Sequence, residues 1–309
     1  MRRRFALVLG ITLLAAALVA GCGRPPEART GLKVLAVETF LADMAQNVAG
    51  ERLQVDSLMP AGVDPHAFEP TPADVARVAD CDVLFVNGGG LEDFLGDLLQ
   101  QSGHKGAMVE ASAGLAMRSP RAGEPSEPQG GAHEGDPHFW LAPNLAIRYV
   151  ENIRDGLSRA DPEGQSIYTT NAESYIRRLQ ELDAWVATQV AQIPKANRLL
   201  VTNHESLGYF ADRYGFGVVG TIVPSASSGA SPSAQELAQL EEQIKSSRVK
   251  AIFLETGANP QLAEQVAQDT GVRVVTDLYT HSTTGPGGAA PTYLDMIRHN
   301  TLVIVGALR

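Results

Sequence analysis

Short apolar runs alternate with longer amphipathic stretches along most of the chain. Lys33 to Val37, Leu53 to Met59 and Val83 to Val86 read as strands, the last closed by Asn87-Gly88-Gly89-Gly90. Leu41 to Glu51, between the first two, has helical apolar spacing. Thr71-Pro72-Ala73-Asp74 supplies a helix start. It offers a hydroxyl cap, a proline where the first N–H needs no intrahelical partner, and an acid near the positive end of the dipole. From Glu163 to Ile193 apolar residues such as Tyr175, Leu179, Leu182, Val186 and Val190 recur mostly at three- and four-residue steps. At ~1.5 Å per residue this predicts one helix of about 45 Å, suited to joining two lobes.

Beyond Pro194 the alternation resumes. Leu199 to Thr202, Val218 to Val223, Ala251 to Glu255 and Val272 to Thr276 read as strands, and Ser233 to Ser246 as a helix. Thr301 to Leu308 has the β-branched content of a strand. The rhythm predicts an α/β fold: two βα lobes with mostly parallel sheets, 32–162 and 194–309, joined by one long rigid helix over 163–193. No repeat of 20 to 50 residues is visible, so the lobes are alike in rhythm only.

Two segments stand outside this pattern. Arg2, Arg3 and Arg4 precede an apolar run from Phe5 to Ala20, too short to span a bilayer but suited to an export signal. Leu18-Val19-Ala20-Gly21-Cys22 matches a bacterial lipobox. The expectation is therefore a leader over 1–21, lipidation at Cys22 and a tether over 22–31, placing the protein on the extracytoplasmic face of a bacterial membrane. Arg118 to Gly135 is rich in Gly, Pro, Glu and Ser without apolar period and reads as a surface loop.

Charge and cysteine content narrow the function. The net charge is −10, and more negative still without the three leader arginines, which argues against nucleic acid as a partner. After Cys22 the chain holds one further cysteine, Cys81, so no disulfide can form between mature cysteines. Cys81 opens an apolar segment, as a small buried hydrophobe would.

Histidine placement brings in chemistry. Of seven histidines, His66 lies in Asp64-Pro65-His66, His138 in Asp136-Pro137-His138, and His204 beyond the apolar run Leu199 to Thr202. Asp277 follows Val274-Val275-Thr276 in a similar place. Ligands of open α/β sheets gather beyond the carboxyl ends of strands. Three imidazoles and a carboxylate meeting there would suit a borderline divalent metal. On the residues alone, a shared metal site and a set of separately hydrogen-bonded side chains both remain open.

The order of motifs resembles the metal-specific solute-binding proteins and lipoproteins of ABC transporters for zinc and manganese. It runs through Asp64-Pro65-His66 with Glu69-Pro70-Thr71, Asp136-Pro137-His138-Phe139-Trp140, the long helix, Thr202-Asn203-His204-Glu205-Ser206-Leu207-Gly208-Tyr209-Phe210, and Thr276-Asp277. The resemblance implies a metal held between the lobes by His66, His138, His204 and Asp277, small local shifts on binding, and delivery to a membrane permease. A metallochaperone is a further candidate partner, and a monomer is expected. It also implies that the C-terminal run ends a helix, and we adopt that over the strand reading.

Histidine at the third position, where the manganese receptors of the family place glutamate, implies zinc, with manganese as the alternative. Glu205 adjoins His204, but neighbouring side chains on extended backbone face opposite ways, so ligation is assigned to His204. The loop before the second ligand offers only His133 with Glu124, Glu127 and Glu134, fewer groups than many zinc receptors carry, and reads as solvated. Phe139 and Trp140 are expected to wall the site.

His204-Glu205 also begins the HExxH pattern of zinc peptidases, but Gly208 stands in the second histidine's place, and no serine-nucleophile motif is present. Binding is therefore preferred over hydrolysis, and no feature dedicated to an adhesin is visible. His104, His281 and His299 receive structural roles.

Overall fold

The computed structural model describes residues 31–119, 135–224 and 231–309. The leader, Cys22, most of the tether, and the loop residues 120–134 with His133 lie outside the described residues.

Two parallel sheets of four strands form the frame among the described residues. The first contains β1 (Val34–Ala36), β2 (Val55–Ser57), β3 (Val83–Val86) and β4 (Ala107–Glu110) in the order β2-β1-β3-β4. Its helices are α1 (Thr39–Ala49), α2 (Pro72–Asp80), α3 (Leu95–Ser102) and α4 (Pro143–Ala160). The long helix α5 follows over Gln165–Val190, so at ~1.5 Å per residue it is about 39 Å long. It is shorter than the expected 163–193 because a 3-10 turn over Pro162–Gly164 precedes it and Pro194 follows soon after.

The second lobe holds α6 (Gly208–Tyr214), α7 (Ala234–Ser247), α8 (Gln261–Thr270) and α9 (Tyr293–Leu308). Its strands are β5 (Leu199–Thr202), β6 (Gly217–Thr221), β7 (Ala251–Glu255) and β8 (Arg273–Leu278), ordered β6-β5-β7-β8. The lobes thus share strand order as well as rhythm.

Both faces of each sheet are covered, as parallel strands require. Val34, Ala36, Val83 and Phe85 enter one large core, while Leu35, Val37, Leu84 and Val86 enter a smaller one on the opposite face. In the second lobe Ala251 and Phe253 join the same large core, and Ile252 and Leu254 a separate one. Tyr168, Ala172, Tyr175, Leu179, Leu182 and Val186 of α5 belong to the large core. The long helix is therefore packed into apolar interior continuous with both lobes.

The C-terminal run is helical. Thr292 caps α9 by accepting from the Asp295 N–H, and Asn300, Thr301 and Ile304 are buried on one side. Its β-branched residues are tolerated because tertiary burial outweighs their weak intrinsic preference. The start at Thr71 is a complete capping box, with the Thr71 side chain accepting from the Asp74 N–H and Asp74 accepting from the Thr71 N–H.

Candidate metal centre

Each predicted histidine is positioned by its own local device. Asp64 Oδ1 accepts from the His66 N–H at 2.9 Å, and Asp136 Oδ1 accepts from the His138 N–H at the same distance. The repeated Asp-Pro-His is thus one structural unit used twice. The aspartate closes a turn on the backbone two residues on, while proline fixes the torsion between them. His204 lies two residues beyond β5, where the Thr202 hydroxyl and the Ser206 N–H both donate to its carbonyl, at 2.7 and 2.9 Å.

Four imidazoles meet in the cleft between the lobes: His66, His138, His204 and His281. His138 Nε2 lies 3.2 Å from His66 Nε2, 3.2 Å from His204 Nε2 and 3.3 Å from His281 Nε2. All four candidate ligand atoms lie within 4.8 Å of one another. His138 and His204 are fully buried and His281 nearly so, while His66 is partly exposed at the cleft.

Asp277 is not part of this group, which corrects the fourth assignment. β8 runs to Leu278, two residues beyond its expected end, so Asp277 sits inside the strand rather than after it. Leu278 is buried and Asp277 exposed, at a point where the register between β7 and β8 shifts so that Glu255 pairs with Leu278. The Asp277 carboxylate faces His299, with Oδ2 3.7 Å from His299 Nε2. His281, given only a structural role from the sequence, stands in the cluster instead. Of the other two, His104 contacts the Val78 carbonyl through Nδ1 and His299 the Asp277 carbonyl through Nε2.

Two carboxylates hold the rings from behind. Glu255, the last residue of β7, puts Oε1 2.6 Å from His204 Nδ1 and Oε2 3.2 Å from His281 Nδ1. Asp136 Oδ1 is 2.9 Å from His138 Nδ1. With a carboxylate oxygen beside Nδ1, each of these rings turns its Nε2 toward the centre, the atom a metal would take from the neutral imidazole. Glu255 was not singled out from the sequence. A carboxylate ending the correctly bounded strand Ala251 to Glu255 was the signal that could have found it.

The electrostatics follow from burial and these contacts. His138 is held well below the usual histidine value by burial and by the three facing imidazoles. Burial also acts to lower His281, but the adjoining Glu255 charge outweighs it and raises that ring above the ordinary value. Burial pushes Glu255 upward, yet His204 and His281 draw it well below the carboxylate range. Burial pushes Asp136 up to about 8, opposed by the His138 N–H and the Arg118 charge.

Trp140 walls the site as expected: its ring lies 5.2 Å from His138 and 6.2 Å from His281, stacked on Phe40. Phe139 instead stacks on Tyr209. Several contacts bind the His281 segment to the first lobe. The Trp140 indole donates to the Thr280 carbonyl, the Gly62 N–H to Ser282 Oγ, and the Thr283 N–H to Thr39 Oγ1, at 2.7, 2.7 and 2.9 Å. A cleft lined by Gly62, Asp64, Asn203, Glu255 and Thr283 leads to His281.

A peptidase motif has no room here. A Cβ at Gly208 would lie 2.6 Å from Asp136 Oδ2. The second histidine of HExxH therefore could not be built without moving the carboxylate behind His138.

Comparison with known proteins agrees with this geometry. Residues 34–307 match the family described as ZnuA, zinc-uptake complex component A, periplasmic. The chain belongs to that family. It is accordingly a metal-binding solute receptor of ABC transporters and not an enzyme. It is 35% identical to the manganese-binding lipoprotein MntA of Halalkalibacterium halodurans, over 96% of this chain and 97% of that protein. It is 30% identical to the MntA lipoprotein of Bacillus subtilis, over 98% and 99%. Among solved structures, a manganese-bound periplasmic metal-binding protein from Candidatus Liberibacter asiaticus superposes with a TM-score of 0.77 at 28% identity, covering 90% of this chain and all of that one.

Proposed function

We propose that this protein captures a divalent transition-metal ion outside the cytoplasm through His66, His138, His204 and His281 and passes it to the membrane permease of an ABC importer. The observation that carries this reading is the convergence of four Nε2 atoms. A tetrahedral ion with ligand bonds of ~2.0–2.1 Å has nitrogens about 3.3 Å apart. The separations from His138 Nε2, 3.2 to 3.3 Å, fit that spacing. Lone pairs this close repel one another unless a cation or proton lies between them.

Donor chemistry favours zinc as cargo. Four neutral nitrogens with no oxygen among them suit a borderline four-coordinate ion, whereas manganese prefers oxygen and higher coordination. The relatives weigh the other way, since the two MntA lipoproteins, at 35% and 30% identity, are both named for manganese. Manganese is therefore the second reading, and the names of the relatives support it better than they support zinc. Competition titration of metal-free protein with the two ions separates the readings. The donor set predicts zinc bound more tightly by at least about 100-fold, equivalent to roughly 2.7 kcal/mol. Equal affinity, or tighter manganese, transfers the assignment to manganese.

Lipidation at Cys22 would hold the receptor at the extracytoplasmic membrane face, as the relatives named lipoproteins suggest. A monomer, loaded directly or by a metallochaperone, is part of the same reading. The apolar core common to both lobes and the contacts of Thr39, Gly62 and Trp140 with 280–283 favour local adjustment over wide opening.

Binding is coupled to protons. His281 and Asp136 have raised proton affinities in the metal-free protein, so below those values a proton competes with the metal. Affinity should rise with pH through the window from the ordinary histidine range to about 8, by up to about tenfold per pH unit for each proton displaced. Calorimetry in buffers of different ionisation enthalpy counts the protons released. Affinity that stays flat across that window would contradict the coupling.

A further inference from the structure

The shared strand order gives each sheet a switch point, between β5 and β7 in the second lobe and between β1 and β3 in the first. In the second lobe that point is flanked by His204 and Glu255. In the first it is flanked by two glutamates that the metal centre does not use. Glu38 follows β1 and is 1% exposed; Glu92 lies in the turn after β3 and is 7% exposed. Glu92 accepts the Asn87 and Gly88 N–H groups at 2.5 and 3.1 Å. Both Glu38 carboxyl oxygens are buried, with no donor within hydrogen-bond geometry.

The main influences on the two carboxyls are burial, each other and backbone N–H groups, with no cationic side chain among them in the described residues. Tyr149 from α4 is the phenol that feels both carboxyls, raised by burial and then by the Glu92 and Glu38 charges. Two ionised carboxylates side by side in such surroundings would face both desolvation and mutual repulsion. One retained proton removes a charge and supplies the missing donor.

We infer that Glu38 and Glu92 hold one proton between them at neutral pH, forming a buried proton site beneath the first lobe's half of the cleft. Burial pushes Glu92 up to about 7, and burial and the neighbouring Glu92 charge hold Glu38 well above the ordinary glutamate range. The site also touches the structure that carries His138. Tyr149 donates to Asn87 Oδ1 at 2.6 Å, and Asn87 Nδ2 donates to the Pro137 carbonyl at 3.2 Å. Ionising both glutamates sets two like charges against the turn on which this chain of hydrogen bonds rests. Because the folded-state proton affinities are raised, the stabilisation is complete below the ordinary glutamate range and is lost as pH rises through about 7.

The test uses the metal-free full chain carrying carbon-13 only at glutamate Cδ, which leaves Asp136 silent. Two glutamate resonances are expected to titrate near or above pH 7, and both assignments to change in Glu38→Gln. Thermal melts should show the wild type losing about 4 °C between pH 6 and 8.5 beyond any loss in Glu38→Gln, whose amide mimics the protonated acid. If every glutamate titrates in the ordinary range, or the two melting curves run parallel, the inference is overturned. Should Glu38→Gln fail to fold, the wild-type resonances decide alone.

Discussion

Replacing His281 by alanine is expected to weaken zinc binding by roughly 100-fold or more, while Asp277→Ala leaves it within about twofold. Structural zinc sites with four ligands bind with ~10–16 kcal/mol, so one ligand in four accounts for about 3 kcal/mol, or two orders of magnitude. His281 Nε2 stands 3.3 Å from His138 Nε2 within the cluster, whereas Asp277 is exposed and faces His299. Chelator competition on the two purified variants measures both effects. The reverse result, a damaging Asp277 change beside a silent His281 change, would require a rearrangement of the 277–281 segment and would defeat the four-histidine assignment. Circular dichroism and melting of each variant check that affinity is lost through the ligand rather than the fold.

Glu255→Gln is expected to lower zinc affinity by about 10–100-fold without removing any ligand atom. The native carboxylate reaches two rings at once, 2.6 Å from His204 Nδ1 and 3.2 Å from His281 Nδ1. Glutamine has one accepting oxygen, so its amide nitrogen would meet the second ring with N–H facing N–H. The substitution also deletes a negative charge that offsets the bound dication. Isothermal titration should show the loss, together with a change in the pH dependence that His281 imposes. Wild-type affinity and an unaltered pH profile in Glu255→Gln would mean that the carboxylate has no part in orienting the rings.

Much of the frame was legible because burial leaves periodic traces. β7 was bounded correctly, α2 was marked by a capping box, and the long helix erred only at its ends, where a 3-10 turn and Pro194 intervene. The C-terminal helix was legible through the family resemblance and not through its residues alone, because its β-branched positions are held by tertiary burial, a contribution that local preference does not record. Three members of the histidine cluster could be found because their surroundings carry patterns, Asp-Pro-His twice and a strand end once. The fourth failed on a two-residue error: with β8 ended at Thr276, Asp277 is read as lying beyond the sheet, but the strand continues to Leu278 with a shift in its register to β7 that leaves Asp277 exposed. His281 had no local signature. Its place is set by Gly62, Trp140 and Asn300, which anchor residues 279–282 through contacts from elsewhere in the chain.

The four clustered histidines are spread from position 66 to position 281, so no contiguous fragment shorter than about seven-tenths of the polypeptide contains them all. A chain that ends before position 281 lacks a member of the cluster, whatever else of it has folded. A complete cluster thereby reports that the chain is folded through its last strand, β8.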